Sequence, residues 1–129
     1  MDSGVLDLAW CQGYTGSTLC FIESNVICYK CSRNIKTIST SGKHGTFSFK
    51  ESSVGPVAFH NINKHIAISE CTQNPKIYIY AYPSFAEVSV LDDGADLEFQ
   101  MIAFSDSEFF VSVSGIPNFN LILWNYVEG

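Results

Sequence analysis

The sequence predicts an all-β protein assembled from about three antiparallel units, four-stranded where complete. Three observations carry that expectation. The first is the pattern of residues 99–125. Gln100–Phe104, Phe109–Val113 and Leu121–Trp124 are short apolar runs, separated by the polar corner Ser105–Glu108 and by a loop holding Gly115 and Pro117. Runs of this length, rich in β-branched and aromatic residues and bounded by Gly, Pro, Asn, Asp and Ser, read as strands. Their connections are too short for helical crossovers, so they pair as an antiparallel meander.

The second observation is recurrence. Val57-Ala58-Phe59-His60 matches Ile102-Ala103-Phe104-Ser105 at an offset of 45 positions, and His65–Ser69 aligns with Phe110–Ser114 at the same offset. Ile77–Tyr80 aligns with Leu121–Trp124, Tyr80 standing in the place of Trp124. A fainter copy opens the chain in Leu8-Ala9-Trp10, Leu19–Ile22 and Val26–Tyr29. Self-similarity at about 40–45 residues, with four strands per period, marks WD40-like β-propeller blades. The third observation is that Lys76–Tyr82 is bulky on both strand faces, Ile77, Ile79 and Ala81 on one and Tyr78, Tyr80 and Tyr82 on the other. Leu121–Trp124 is likewise apolar on both faces. A sandwich strand alternates apolar-in and polar-out, whereas a blade is covered on each side by its neighbours.

In chain order, Val5–Cys11 reads as the inner strand of the first unit and Gln12–Ser17 as a turn-rich corner. Leu19–Ile22 and Val26–Tyr29 form a hairpin through Glu23-Ser24-Asn25. Ser32-Arg33 leads into Ile35–Ile38, expected as the outer strand of the second unit. Thr40–Ser53 is polar, with Gly42, Gly45 and the alternation Thr46-Phe47-Ser48-Phe49, and reads either as a long loop or as an extra hairpin. Val54–Tyr82 holds the second unit. Pro83-Ser84 turns the chain into Ala86–Leu91, and Asp92–Asp96 is an acidic turn before the third. The expected organisation is one partial propeller domain over 1–129, with blade units at roughly 1–31, 34–82 and 86–126. Trp10, Phe59, Tyr80, Phe104 and Trp124 are the expected blade-core residues. Three blades do not close a ring, because propellers take four to eight, so the chain is expected to be part of a larger one.

Composition narrows the function classes. Of 129 residues, 47% are apolar and 16% charged, below the roughly 25% charged of average soluble domains, so much of the chain expects neighbours. A net charge of −6 with seven scattered basic residues argues against nucleic acid, whose binders draw affinity from Lys and Arg, and against an anionic membrane surface. No stretch approaches the ~20 apolar residues of a membrane-spanning helix, and Met1-Asp2-Ser3-Gly4 does not open a signal peptide. Five cysteines in strand-like runs, with no Asn-x-Ser/Thr sequon, suggest a reducing, intracellular setting.

Trp10-Cys11-Gln12-Gly13-Tyr14, Asn25–Tyr29, Pro75–Pro83 and Leu121–Tyr126 resemble the amino-terminal propeller of the cilia- and flagella-associated WD-repeat proteins of the forty-three and forty-four type. The resemblance covers most of this chain but only a small part of such a protein. It implies a non-catalytic scaffold of the axoneme, tethering inner-arm dynein heads to doublet microtubules beside an axonemal WD-repeat partner, in the cytoskeleton of the cilium or flagellum. The sequence departs from the general WD pattern in having no Gly-His pair, in placing Asn125 after Trp124, and in lacking the usual Asp before the third strands.

Chemistry-bearing candidates are weak, so no catalytic, cofactor or metal residue is assigned. Cys28-Tyr29-Lys30-Cys31 has the spacing of half a zinc knuckle, with Cys11, Cys20, Cys71 and His60 as conceivable partners. Structural zinc sites normally add a second compact pair, and positions three apart on a strand point to opposite faces. Asp92, Asp93, Asp96 and Glu98 lack the EF-hand spacing and read as a solvated corner. His60, Ser69 and Asp106 make a hydrolase triad only on paper, with no nucleophile elbow; His60 is better read as a corner residue bonded to backbone. The competing function is a cytosolic propeller adaptor that binds a peptide motif, which pockets at one end of the strands would favour. An enzyme or metal protein is the least supported class.

Overall fold

The computed structural model describes residues 19–31, 34–49, 54–60 and 62–127. Val5–Cys11 and Trp10 lie outside them. The described chain is all β: eleven strands in three antiparallel sheets. Sheet one pairs β1 (Leu19–Glu23), β2 (Val26–Cys31), β3 (Asn34–Ser39) and β4 (His44–Ser48) in chain order. Sheet two pairs β5 (Val54–His60), β6 (His65–Glu70), β7 (Ile77–Ala81) and β8 (Glu87–Leu91) in the same way. Sheet three has β9 (Phe99–Phe104), β10 (Phe109–Ser114) and β11 (Leu121–Asn125).

The corners follow from turn chemistry. Gly42 sits at φ 89 in the β3–β4 turn, a conformation that costs a residue without a Cβ nothing, and the Lys43 carbonyl accepts the Ser39 N–H at 2.9 Å. Asn74 and Asp93, types that tolerate the left-handed region, occupy it in the β6–β7 and β8–β9 connections.

The strand expected to open the second unit belongs elsewhere. β3 pairs along its whole length with β2, Ile27 opposite Ile38, and on its other edge with β4, Ile35 opposite Phe47. In Thr40–Ser53, read as a long loop or an extra hairpin, the described residues hold one strand, β4, which forms a hairpin with β3 at the edge of sheet one, while 50–53 lie outside the described residues. A two-residue connection at 32–33 favours pairing back onto β2 over crossing to another sheet.

Middle-sheet packing accounts for the two-faced β7. Tyr78 and Tyr80 turn toward sheet one, where Phe47 meets Tyr80 at 5.1 Å and Phe49 meets Tyr78 edge-on at 5.5 Å. Ile22, Cys28, Ile35, Ile66 and Ile68 are buried in that layer. Ile77 and Ile79, fully buried, turn the other way, against Phe99, Ile102 and Phe110 of sheet three. Successive strand residues alternate faces, so one apolar strand serves two cores. β5 runs close beside β9, whereas β1 touches β5 only slightly.

Strand pairing also revises the internal repeat by one residue. Ala58 faces Ala67 and Ala67 faces Ile79 in sheet two. Ala103 faces Val111 and Val111 faces Leu123 in sheet three. The counterpart of Ala67 is therefore Val111, not Ser112. A one-residue slip exchanges the two faces of a strand, so the correction decides which residues of sheet three look outward.

Candidate functional site

Of the residues of the imagined catalytic and metal sites, Ser69 and His60 are engaged elsewhere, and Cys11 lies outside the described residues. Ser69, fully buried, donates its hydroxyl to the Pro56 carbonyl at 2.6 Å, and His60 Nδ1 accepts the Asn63 backbone N–H at 3.1 Å. Neither contact joins them to Asp106. Cys28 is buried in the first interlayer core, while Cys71 is exposed. Among the described residues no three His, Cys, Asp or Glu side chains gather into a possible metal site. The acidic corner fastens loops instead: Asp92 accepts the Asp93 N–H at 2.8 Å and lies 3.7 Å from Lys76 Nζ, and Asp96 accepts the Asn118 amide at 3.2 Å. No helix among the described residues is long and apolar enough to cross a membrane.

Of the expected core residues, Tyr80 is buried between sheets one and two, and Phe59 is half-buried against the same layer. Burial, then the charge of Glu87, raises the Tyr80 phenol to about 12. Phe104 and Trp124 are half-buried against the layer between sheets two and three. The Trp124 indole N–H donates to the buried Ser112 hydroxyl at 2.9 Å. Phe110 and Tyr126, not anticipated, are buried deeper than either. Tyr126 lies just past β11, its N–H donating to the Glu108 carbonyl, as Tyr82 just past β7 donates to Lys64. The shared Tyr after the third strand was the available signal.

Two surfaces remain as candidates for binding. The first is the outer face of sheet three, where Met101, Leu121 and Leu123 are 65%, 72% and 66% exposed. Leu121 and Leu123 are the counterparts of Ile77 and Ile79, which sheet three covers completely. Clustered apolar side chains left in water mark contact surfaces. β11 pairs with β10 along one edge, and among the described residues no strand takes the place in sheet three that β8 has beside β7.

The second surface is a cleft of about 250 Å³ at one end of sheets two and three, lined by Phe59, His60, Ile62, Phe104, Ser105 and Asp106. The turns after β5 and β9 carry these residues to the same end of the strands. Behind it, His60 stands edge-on to Phe104 at 5.4 Å, Phe104 meets Tyr126 at 5.4 Å, and the Tyr126 hydroxyl and His65 Nδ1 share a hydrogen bond of 2.8 Å. Burial, and secondarily the neighbouring His60, holds His65 below its ordinary value of 6.5. The His65 imidazole is thus built into an aromatic corner whose burial disfavours its positive charge.

No protein-family profile matches the chain. Among solved structures it superposes on the β-propeller domain of Cps50 (Swd1) from Myceliophteria thermophila, with a TM-score of 0.68 and 18% identity, covering 84% of this chain and 37% of that one. That likeness is one of fold. In sequence, cilia- and flagella-associated protein 43 of Xenopus laevis is 33% identical over 125 residues, 95% of this chain and 8% of the relative. The Mus musculus protein 43 is 28% identical over 94% of the chain and 7% of its own length. Protein 44 of Mus musculus is 24% identical over 87% and 6%. The chain spans less than a tenth of the length of these relatives. Over nearly its whole length, then, the chain is similar to a small part of the cilia- and flagella-associated proteins 43 and 44, and it is built as an open run of WD40-like β-propeller blades.

Proposed function

We propose that this chain is a non-catalytic scaffold module of the cilium or flagellum, acting by surface contact within the axoneme. The observation that carries the reading is the similarity along 95% of the chain to a protein named for cilia and flagella. The fold agrees with it: stacked sheets with apolar outer faces bind through surfaces, and the fold itself prescribes no chemistry. In finer terms the module forms part of one partial propeller domain, helps tether inner-arm dynein to doublet microtubules, and contributes to assembly and motility. Affinity purification of the tagged protein from ciliated or sperm cells tests this. Inner-arm dynein, doublet components and an axonemal WD-repeat partner are the expected co-purifying proteins, and their absence would overturn it. The end cleft favours a second reading, a propeller adaptor that recognises a peptide in another assembly, which a coat or ubiquitin-ligase complex in the same purification would promote.

A further inference from the structure

His60, which lines the cleft at the end of sheets two and three, holds an unsatisfied buried donor. His60 is 4% exposed, and its Nδ1 is occupied as an acceptor by the Asn63 N–H. The neutral ring therefore carries its proton on Nε2. Nε2 is buried and has no hydrogen-bond partner among the described residues. A buried donor left unpaired costs about 1–3 kcal/mol, and the edge-on Phe104 ring is at best a weak acceptor. Beside this donor, Phe59, Ile62 and Phe104 supply apolar walls, and Ser105 and Asp106 a polar rim. Among the described residues no Lys or Arg lines the cleft. Ile62, which also lines the cleft, is 70% exposed.

We propose that this cleft docks an extended peptide of a partner protein, which inserts a carboxamide side chain, Asn or Gln. The amide oxygen accepts from His60 Nε2–H, and the amide NH₂ donates to the Asp106 carboxylate. The aliphatic stem lies between Ile62 and the two phenylalanines. Other side chains fit less well. A carboxylate meets Asp106 with no cation to offset it, a lysine head brings no acceptor, and an apolar side chain leaves the imidazole N–H unpaired. Because Nε2 is buried, the side chains lining the cleft must shift to admit the amide. The proposal holds whether the chain serves the axoneme or another assembly.

The test is a titration of the 129-residue chain, with ¹⁵N-labelled histidine, against N-acetylglutamine methylamide, with the capped glutamate and capped leucine analogues in parallel. The His60 Nε2 resonance should move with the glutamine probe alone. Losing the Asp106 contact, worth about 0.5–1.5 kcal/mol, should weaken that probe about 3- to 10-fold in Asp106→Ala. Asp106 is exposed, so this variant retains the fold where His60→Phe could lose it. An unmoved His60 signal, equal responses to all three probes, or undiminished affinity in Asp106→Ala would overturn the proposal.

Discussion

Replacing Ile79 and Leu123 by alanine, one at a time, probes equivalent positions of sheets two and three. Both sit on the outward face of the third strand, opposite Ala67 and Val111 respectively. Ile79 is fully buried under sheet three, whereas Leu123 is 66% exposed. Truncation to alanine removes three carbons, worth roughly 2.4 kcal/mol at ~0.8 kcal/mol per buried methylene, and the cavity term carries the total to about 2–5 kcal/mol for Ile79. Only about a third of Leu123 is covered, so the same arithmetic leaves about 0.8 kcal/mol. Urea unfolding followed by tryptophan fluorescence measures both, on the chain as it stands and on a fusion that adds a further blade. In the chain alone Ile79→Ala should cost at least twice as much as Leu123→Ala. In the fusion, Leu123→Ala should rise into the Ile79 range. Equal costs in the chain alone, or a Leu123 cost unchanged by the added blade, would refute the equivalence of the two faces.

Tyr126→Phe keeps the ring against Phe104 and removes the hydroxyl bonded to His65; a stability loss of about 1 kcal/mol is expected by denaturation. His65 is held below its ordinary 6.5, so the unfolded chain takes up the proton first. Its contribution should be full above pH 6.5 and fall as the pH drops below it, and His65→Phe should flatten that part of the profile. Tyr80 behaves oppositely in sign. With its phenol raised from 10.0 to about 12, the unfolded state ionises first, so stability should decline as the pH climbs from 10 toward 12, less so in Tyr80→Phe; tyrosinate absorbance reports the ionisation.

Strand positions were legible because they are written locally. Ile77–Tyr80 and Phe109–Val113 are short apolar runs closed by turn residues, and the two bulky faces of β7 did separate into two cores. What the sequence hid depends on partners distant along the chain. β3 carries no mark of which sheet receives it, and only the short connection to β2 decides. β4 alternates polar and aromatic residues too mildly to stand apart from a loop until Phe47 finds Phe85, stacked at 4.2 Å, and Tyr80. Val111-Ser112-Val113 can be laid on Ile66-Ala67-Ile68 or one step along with similar chemistry, and cross-strand pairing alone sets the step. Leu121 and Leu123 read as buried because they are apolar, yet burial needs a covering layer. His60 was read as a corner residue bonded to backbone, and its Nδ1 is so bonded; the orphaned Nε2 appears only when Phe104 arrives from another sheet.

The proposed contact of the propeller module with the axoneme is tested by tagging the protein in motile ciliated cells and extracting them with detergent. The tagged protein is expected to stay with the insoluble axonemes, and to leave them with inner-arm dynein when the dynein arms are stripped. A protein recovered wholly in the soluble fraction, with axonemes intact and dynein retained on them, would contradict it.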